Sequence, residues 1–274
     1  FFILVGLACG FSAQSDPTAT PYVITATQEP VEPTISEPAP TFTAVPTNIP
    51  QATETTQPEP TQAIIEEEPE DEPLAYYVEE FDTDISSWSY FLMSGNESEM
   101  DLYTEEGYLV FDLQGEDQWV YVLYDEYYYP EVRIDVLAEN RGMNTNNVSL
   151  ICNYSDTDGW YEFNISNGGL YDLLVYSEID GDYFQLASGG STNIVTGRAE
   201  NLYTAICQGN QLKLYINGFL EREYTDNKYN LREGQVGLSV SSFDVLPILV
   251  NIDYFSISLP WVLWRIYPQK IIKI

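Results

Sequence analysis

The chain has 274 residues, with 43 Asp and Glu against 10 Lys and Arg, no histidine, and a formal net charge of −33. Such a field repels nucleic-acid phosphates and anionic lipid headgroups, so the folded part has no nucleic-acid partner, whereas neutral sugars and divalent cations are compatible with it. Without histidine, the Ser-His-Asp and Cys-His catalytic arrangements and the usual zinc sites are excluded.

The chain opens FFILVGLAC, an apolar run that stops at Cys9. It has the character of the end of a signal-peptide h-region. VGLAC resembles the lipobox of bacterial lipoproteins, with Gly6 where Leu is more typical. That resemblance implies cleavage before Cys9, acylation of Cys9, and a cell-surface or extracytoplasmic protein anchored to the membrane by its lipid. The alternative is the end of a transmembrane helix, with Cys9 a bystander.

Residues 10–73 are a different material, holding 12 of the 16 prolines and 12 acidic residues but no Lys or Arg. Low hydrophobicity and uncompensated charge cannot offset the entropy of ordering, so this segment is expected to be a disordered tether stiffened toward polyproline II.

From residue 74 to 259 apolar and polar residues alternate. GYLVFDL, VRIDVLA, VSLICNY, WYEFNIS, GLYDLLVY, QLKLYING, GQVGLSVS and VNIDYFSIS each read as strands of period two. No window shows a helical period. Asn217-Gly218 suits a type I′ hairpin. The expected fold is all-β, a two-sheet antiparallel sandwich large enough to bury a core. With Cys9 acylated, an oxidising compartment joins the remaining cysteines, Cys152 and Cys207. They share parity with Leu150 and Ala205, so their strands should be neighbours or face each other across the sandwich.

The strand series, with GWYEF, GGLY, LYING, VGL and the closing Asp253-Tyr254-Phe255, resembles the concanavalin A-like jelly-roll superfamily. It is most similar to the laminin-G-like branch that includes the 3-keto-disaccharide hydrolase domain. The resemblance covers roughly 78–259 and implies a jelly roll. In binding modules of this fold a structural calcium ion joins an acid of the first strand to an Asp of the last, and Asp82 and Asp253 stand at matching places.

Glycosidic hydrolysis needs two carboxylates flanking one bond. The glucan-cutting enzymes of this fold carry Glu-x-Asp-x-Glu, or a form one residue longer. The nearest match, Glu99, Asp101 and Glu105 in EMDLYTE, is mis-spaced, so no catalytic residue is assigned. Sugar binding uses aromatic faces and planar polar groups. Trp160, Glu162 and Asn164 alternate with Tyr161, Phe163 and Ile165, so Trp160 faces away from a core built on the latter three. Trp119, Asn153 and Tyr127 to Tyr129 are further sugar-contacting candidates. The tail, 260–274, is apolar and basic and receives no role.

The expected function is a lipid-anchored surface protein that presents a non-catalytic sandwich binding extracellular or cell-wall carbohydrate. A glycosidic-bond hydrolase and a module that recognises protein are the alternatives.

Overall fold

The computed structural model describes residues 74–261. Cys9, the 10–73 segment and the tail beyond Trp261 lie outside the described residues. In chain order the strands are β1 (Val78–Glu79), β2 (Trp88–Ser94), β3 (Met100–Glu105), β4 (Tyr108–Leu113) and β5 (Trp119–Tyr129). There follow β6 (Glu131–Asn140), β7 (Asn146–Ser155), β8 (Gly159–Ser166), β9 (Leu170–Ser177) and β10 (Asp182–Gly190). The last are β11 (Glu200–Gln208), β12 (Gln211–Ile216), β13 (Phe219–Thr225), β14 (Gly234–Ser242) and β15 (Ile248–Ser258). All eight strands read from the sequence are present, and a 3₁₀ turn at Glu97–Glu99 is the one helical element among the described residues.

The strands form two antiparallel sheets. One runs β13-β12-β11-β6-β15-β4-β3, with β1 added beside β15; the other has seven strands in the order β10-β9-β8-β7-β14-β5-β2. The alternation in the sequence explains the layering. Val132, Ile134 and Val136 of β6 and Leu212, Leu214 and Ile216 of β12 meet Val148, Leu150, Tyr161, Phe163 and Ile165 of the opposite sheet in one core. The β12–β13 turn is the expected one: Asn217 and Gly218 take φ of 49° and 83°, and strand pairing resumes at Ile216 with Phe219.

Arg133 and Asp135 alternate with the core residues of β6, yet both are buried. Arg133 forks onto Asp135, Nε to Oδ2 and Nη2 to Oδ1 both at 2.7 Å, and Thr204 Oγ1 donates to Asp135 Oδ1 at 2.5 Å. Planar bidentate geometry makes such a pair tolerable where water is scarce.

Cys152 on β7 and Cys207 on β11 form a disulfide with Cα atoms 6.6 Å apart. The two strands belong to different sheets, so the bond staples the sandwich through its core. Closing a loop over 55 residues of separation restricts the unfolded chain by an amount worth about 4 kcal/mol on the chain-entropy model. A Cys152→Ala/Cys207→Ala double variant should therefore lose between about 2 and 4 kcal/mol in urea unfolding. Equal midpoints for variant and parent, or two alkylatable thiols in unreduced parent protein, would show that the bond is not formed.

Candidate functional site

The outer face of the seven-stranded sheet, turned away from the main core, carries a second set of packed side chains. Its registers put Phe91, Tyr121, Ser239, Ser149, Asn164 and Asp172 in one row across six strands. The next row contains Leu123, Gly237, Ile151, Glu162 and Leu174. The middle of the face is thus floored by small residues of β14, with aromatic groups to either side.

This face is concave. Strands β10 and β5 stand five spacings apart in the sheet order, about 24 Å if the sheet were flat. Yet the rings of Tyr183 on β10 and Trp119 on β5 have centroids 5.9 Å apart, and the hydroxyls of Tyr183 and Tyr121 are 2.8 Å apart. Two tyrosine side chains cannot bridge that distance on a flat sheet, so the sheet curls toward them.

Inside the curl Trp160 is packed on all sides. It stacks on Tyr176 at 4.3 Å and on Tyr154 at 5.2 Å, and meets Tyr121 and Tyr183 edge-on at 5.7 and 6.1 Å. The sequence reading of its direction holds, since it points away from the main core. The reading of its exposure does not: Trp160 is 1 % exposed. The curl supplies a second aromatic core that parity alone does not reveal.

Beside this core lies a hollow of about 140 Å³ lined by Trp119, Tyr121, Glu162, Asn164 and Tyr183, with Asn147, Leu174, Ser241 and Phe243 completing it. Glu162 is buried and, among the described residues, has no ion-pair partner. Its Oε1 accepts from Ser149 Oγ at 2.7 Å and Asn164 Nδ2 at 3.2 Å. Its Oε2 accepts from Tyr121 at 2.9 Å and more weakly from Trp160 Nε1 at 3.4 Å. Asn147 Nδ2 in turn donates to Asn164 Oδ1 at 2.7 Å. Burial, then the negative charge of Glu162, pushes the Tyr121 hydroxyl well above its ordinary pKa, and the same causes raise Tyr183. Both remain protonated donors across the physiological range.

The structure therefore brings together Trp119, Glu162 and Asn164 in one hollow and places Trp160 beneath its wall. Asn153 goes elsewhere. It sits at a break in the β7 registers with φ of 54°, and its Nδ2 donates to the Leu231 carbonyl at 2.9 Å. It is not among the residues that line the hollow. Of the three tyrosines at 127–129, Tyr129 is buried and bonded to the Ala75 carbonyl, while Tyr128 is exposed. Asp101 and Glu105 are exposed on β3, an edge strand of the other sheet, and Glu99 is exposed in the 3₁₀ turn before it. Asp82 is exposed with its carboxylate beside the Gly107 turn, and Asp253 is buried in β15. Among the described residues no three His, Cys, Asp or Glu side chains are grouped to hold a metal ion. The sequence reading missed Tyr121 and Tyr183. Tyr121 shares parity with Trp119 and was open to the same argument; Tyr183 reaches the site only through the curl.

No family model and no curated protein matches the sequence. Solved structures do match in fold. A protein of unknown function with a galectin-like fold from Bacillus subtilis superposes with a TM-score of 0.54 at 10 % identity, over 67 % of this chain and 94 % of that one. A mixed-linkage glucan family 16 glycoside hydrolase of Bacteroides ovatus, in complex with a product, gives 0.52 at 10 % identity over 66 % and 99 %. A Bacillus licheniformis β-glucanase gives 0.50 at 13 % identity over 67 % and 97 %. The described part of the chain has the two-sheet jelly-roll fold of these structures.

Replacing Trp160 with Ala removes a buried indole from between two stacked rings, and large-to-small changes of this kind cost about 3–5 kcal/mol. Trp160→Ala should lower the denaturation midpoint sharply, whereas Tyr128→Ser, on an exposed ring, should stay within about 0.5 kcal/mol of the parent. A Trp160→Ala protein as stable as the parent would contradict the second core.

Proposed function

We propose that this chain binds carbohydrate in the hollow of the seven-stranded sheet without hydrolysing it. The observation that carries the reading is the pairing around Glu162. Its neighbours along and across the face are Trp160, Asn164, Ile151 and Leu174, none of them acidic. Asp172, on the same face, lies outside the lining of the hollow and accepts from Gln185 at 2.5 Å. Glycosidases of the two-carboxylate type need an acid and a base or nucleophile about 5 to 9 Å apart across one bond. Here the lining supplies a single carboxylate whose oxygens are already engaged by four donors. What it offers instead is an indole, phenol rings and side-chain amides, the groups that hold sugar rings and hydroxyls. The glucanase structures of the same fold support a carbohydrate ligand.

The test is affinity electrophoresis and calorimetry of the chain against soluble glucans and cell-wall polysaccharides. Binding at micromolar to millimolar strength is expected, with Asn164→Ala and Trp119→Ala each weakening it about tenfold, a loss of about 1.4 kcal/mol. Absence of binding to every glycan tried would overturn the reading. Release of reducing sugar, abolished in Glu162→Gln, would replace it with hydrolysis.

The same proposal places the protein at the cell surface, anchored through acylated Cys9 with residues 10–73 as a tether. Its support is the apolar run ending at Cys9 and the composition that follows. In cells, Cys9→Ser should abolish fatty-acid labelling and release the protein from membranes. A variant that stays membrane-bound and normally processed would point to a transmembrane helix instead.

A further inference from the structure

If the carbohydrate reading above holds, the shape of the hollow decides how much of a glycan chain it takes. The curl brings β10 over toward β5, so the concave face is a trough with β9 and β10 as one wall and β5 as the other. Along the strands the trough is plugged in one direction. Leu123 and Ile151, in the row of Glu162, and Trp160 and Tyr176, in the row beyond, are all buried in the second aromatic core. Tyr183 spans the trough from wall to wall, its hydroxyl 2.8 Å from that of Tyr121 and its ring centroid 5.9 Å from that of Trp119. Rings at that separation are in contact, and no sugar ring passes between them. The floor continues only the other way, through the paired Ser241 and Asn147 to Phe243, where β14 has ended and β7 begins. The space so enclosed is about 140 Å³. Pockets that take drug-sized ligands measure about 300–1,000 Å³, and an apolar cavity of about 150 Å³ takes one benzene ring. The hollow is therefore the size of a single six-membered ring.

We infer that the hollow is a blind, one-ring site that takes the end residue of a glycan chain, entered from the Phe243 side, and excludes an internal run. A chain continuing in both directions would have to pass through Trp160 or between the touching rings of Tyr183 and Trp119. The lining suits a sugar's hydroxyls, which both donate and accept. The Nε1–H of Trp119 has no hydrogen-bond partner in the protein, Asn147 keeps an N–H beyond the one it gives to Asn164, and Asn164 Oδ1 accepts. Residues of the ligand beyond the first one or two lie outside the hollow, so chain length adds little to affinity.

The experiment titrates the full chain with cello-, laminari- and malto-oligosaccharides from disaccharide to hexasaccharide, with cyclodextrins as glucans that have no chain end, and with the parent polysaccharides. In whichever series binds, disaccharide and hexasaccharide should agree within about threefold, and a cyclodextrin should not bind. In Tyr183→Ala, which removes the bar across the trough, the hexasaccharide should come to bind about tenfold more tightly than the disaccharide, even if both bind more weakly than to the parent. A variant that keeps the parent's ratio overturns the closure by Tyr183. Should that variant not fold, the wild-type series decides. Wild-type affinity that climbs about tenfold or more from disaccharide to hexasaccharide overturns the chain-end site and leaves carbohydrate binding standing. Binding to a cyclodextrin, or to polysaccharide but to none of the oligomers, does the same. Failure of every sugar to bind overturns both readings.

Discussion

A carboxylate placed among aromatic rings, with no ion-pair partner among the described residues, is tolerated only when donors surround it. Glu162 is in that position, and most of the concave face can be understood as the set of groups that satisfy it. Ser149 comes from the neighbouring strand, Asn164 from the next outward position of its own strand, Tyr121 from three strands away. Each side chain that reaches Glu162 is thereby held in one rotamer and one hydrogen-bond direction. Tyr183, on the edge strand β10 that pairs with β9, then meets Tyr121 hydroxyl to hydroxyl. A site that depends on so few atoms is rigid for the same reason that it is vulnerable, since removal of one donor leaves part of a buried charge unmet.

The sheet that carries this site is packed on both faces. Tyr161, Phe163 and Ile165 of β8 point into the sandwich, while Trp160 and Glu162 point into the curl. An antiparallel sheet with one wet face alternates cleanly between polar and apolar residues. Strand β8 departs from that pattern because its outer face is only partly wet. The disulfide lies in the same strand pair: Cys152 faces Tyr161 across the β7–β8 ladder and links it to β11 of the other sheet. Rigidity on the inner face is thus transmitted directly to the strands that carry the concave face.

Much of this was legible in the residues. Period-two alternation is a local signal, and it identified the main strands, the sandwich class, the inward sets of β6, β8 and β12 and the type I′ turn at Asn217-Gly218. Parity also put Cys152 and Cys207 on inward faces and Trp160 on an outward one. What parity lacks is curvature. Whether an outward residue meets water or another ring depends on how far the sheet bends over many strands, and that is a property of the assembled sheet. Trp160 was therefore given the right direction and the wrong exposure, and Tyr183 escaped notice because its partner Tyr121 is 62 residues away in sequence. Asn153 was misplaced for a different reason. A break in register with a positive φ turns one residue out of the alternation, and no pattern of period two anticipates it.

The comparison with the glucanases of the same fold turns on chemistry rather than architecture. A concave antiparallel sheet offers a line of outward positions two residues apart, each about 7 Å from the next along a strand. That spacing falls within the range two catalytic carboxylates require, so the scaffold supplies hydrolytic geometry without further adjustment. What decides is the identity of the residues in the line. On β8 they are Trp160, Glu162 and Asn164: an indole committed to packing, one carboxylate and an amide that donates to it. The amide at Asn164 gives one N–H to Glu162, the opposite of what a second acid would do, since two like charges at that distance repel and raise each other's proton affinity. On this face a second carboxylate and an amide are therefore competing uses of one strand position, and in this chain Asn164 occupies it with an amide that donates to Glu162.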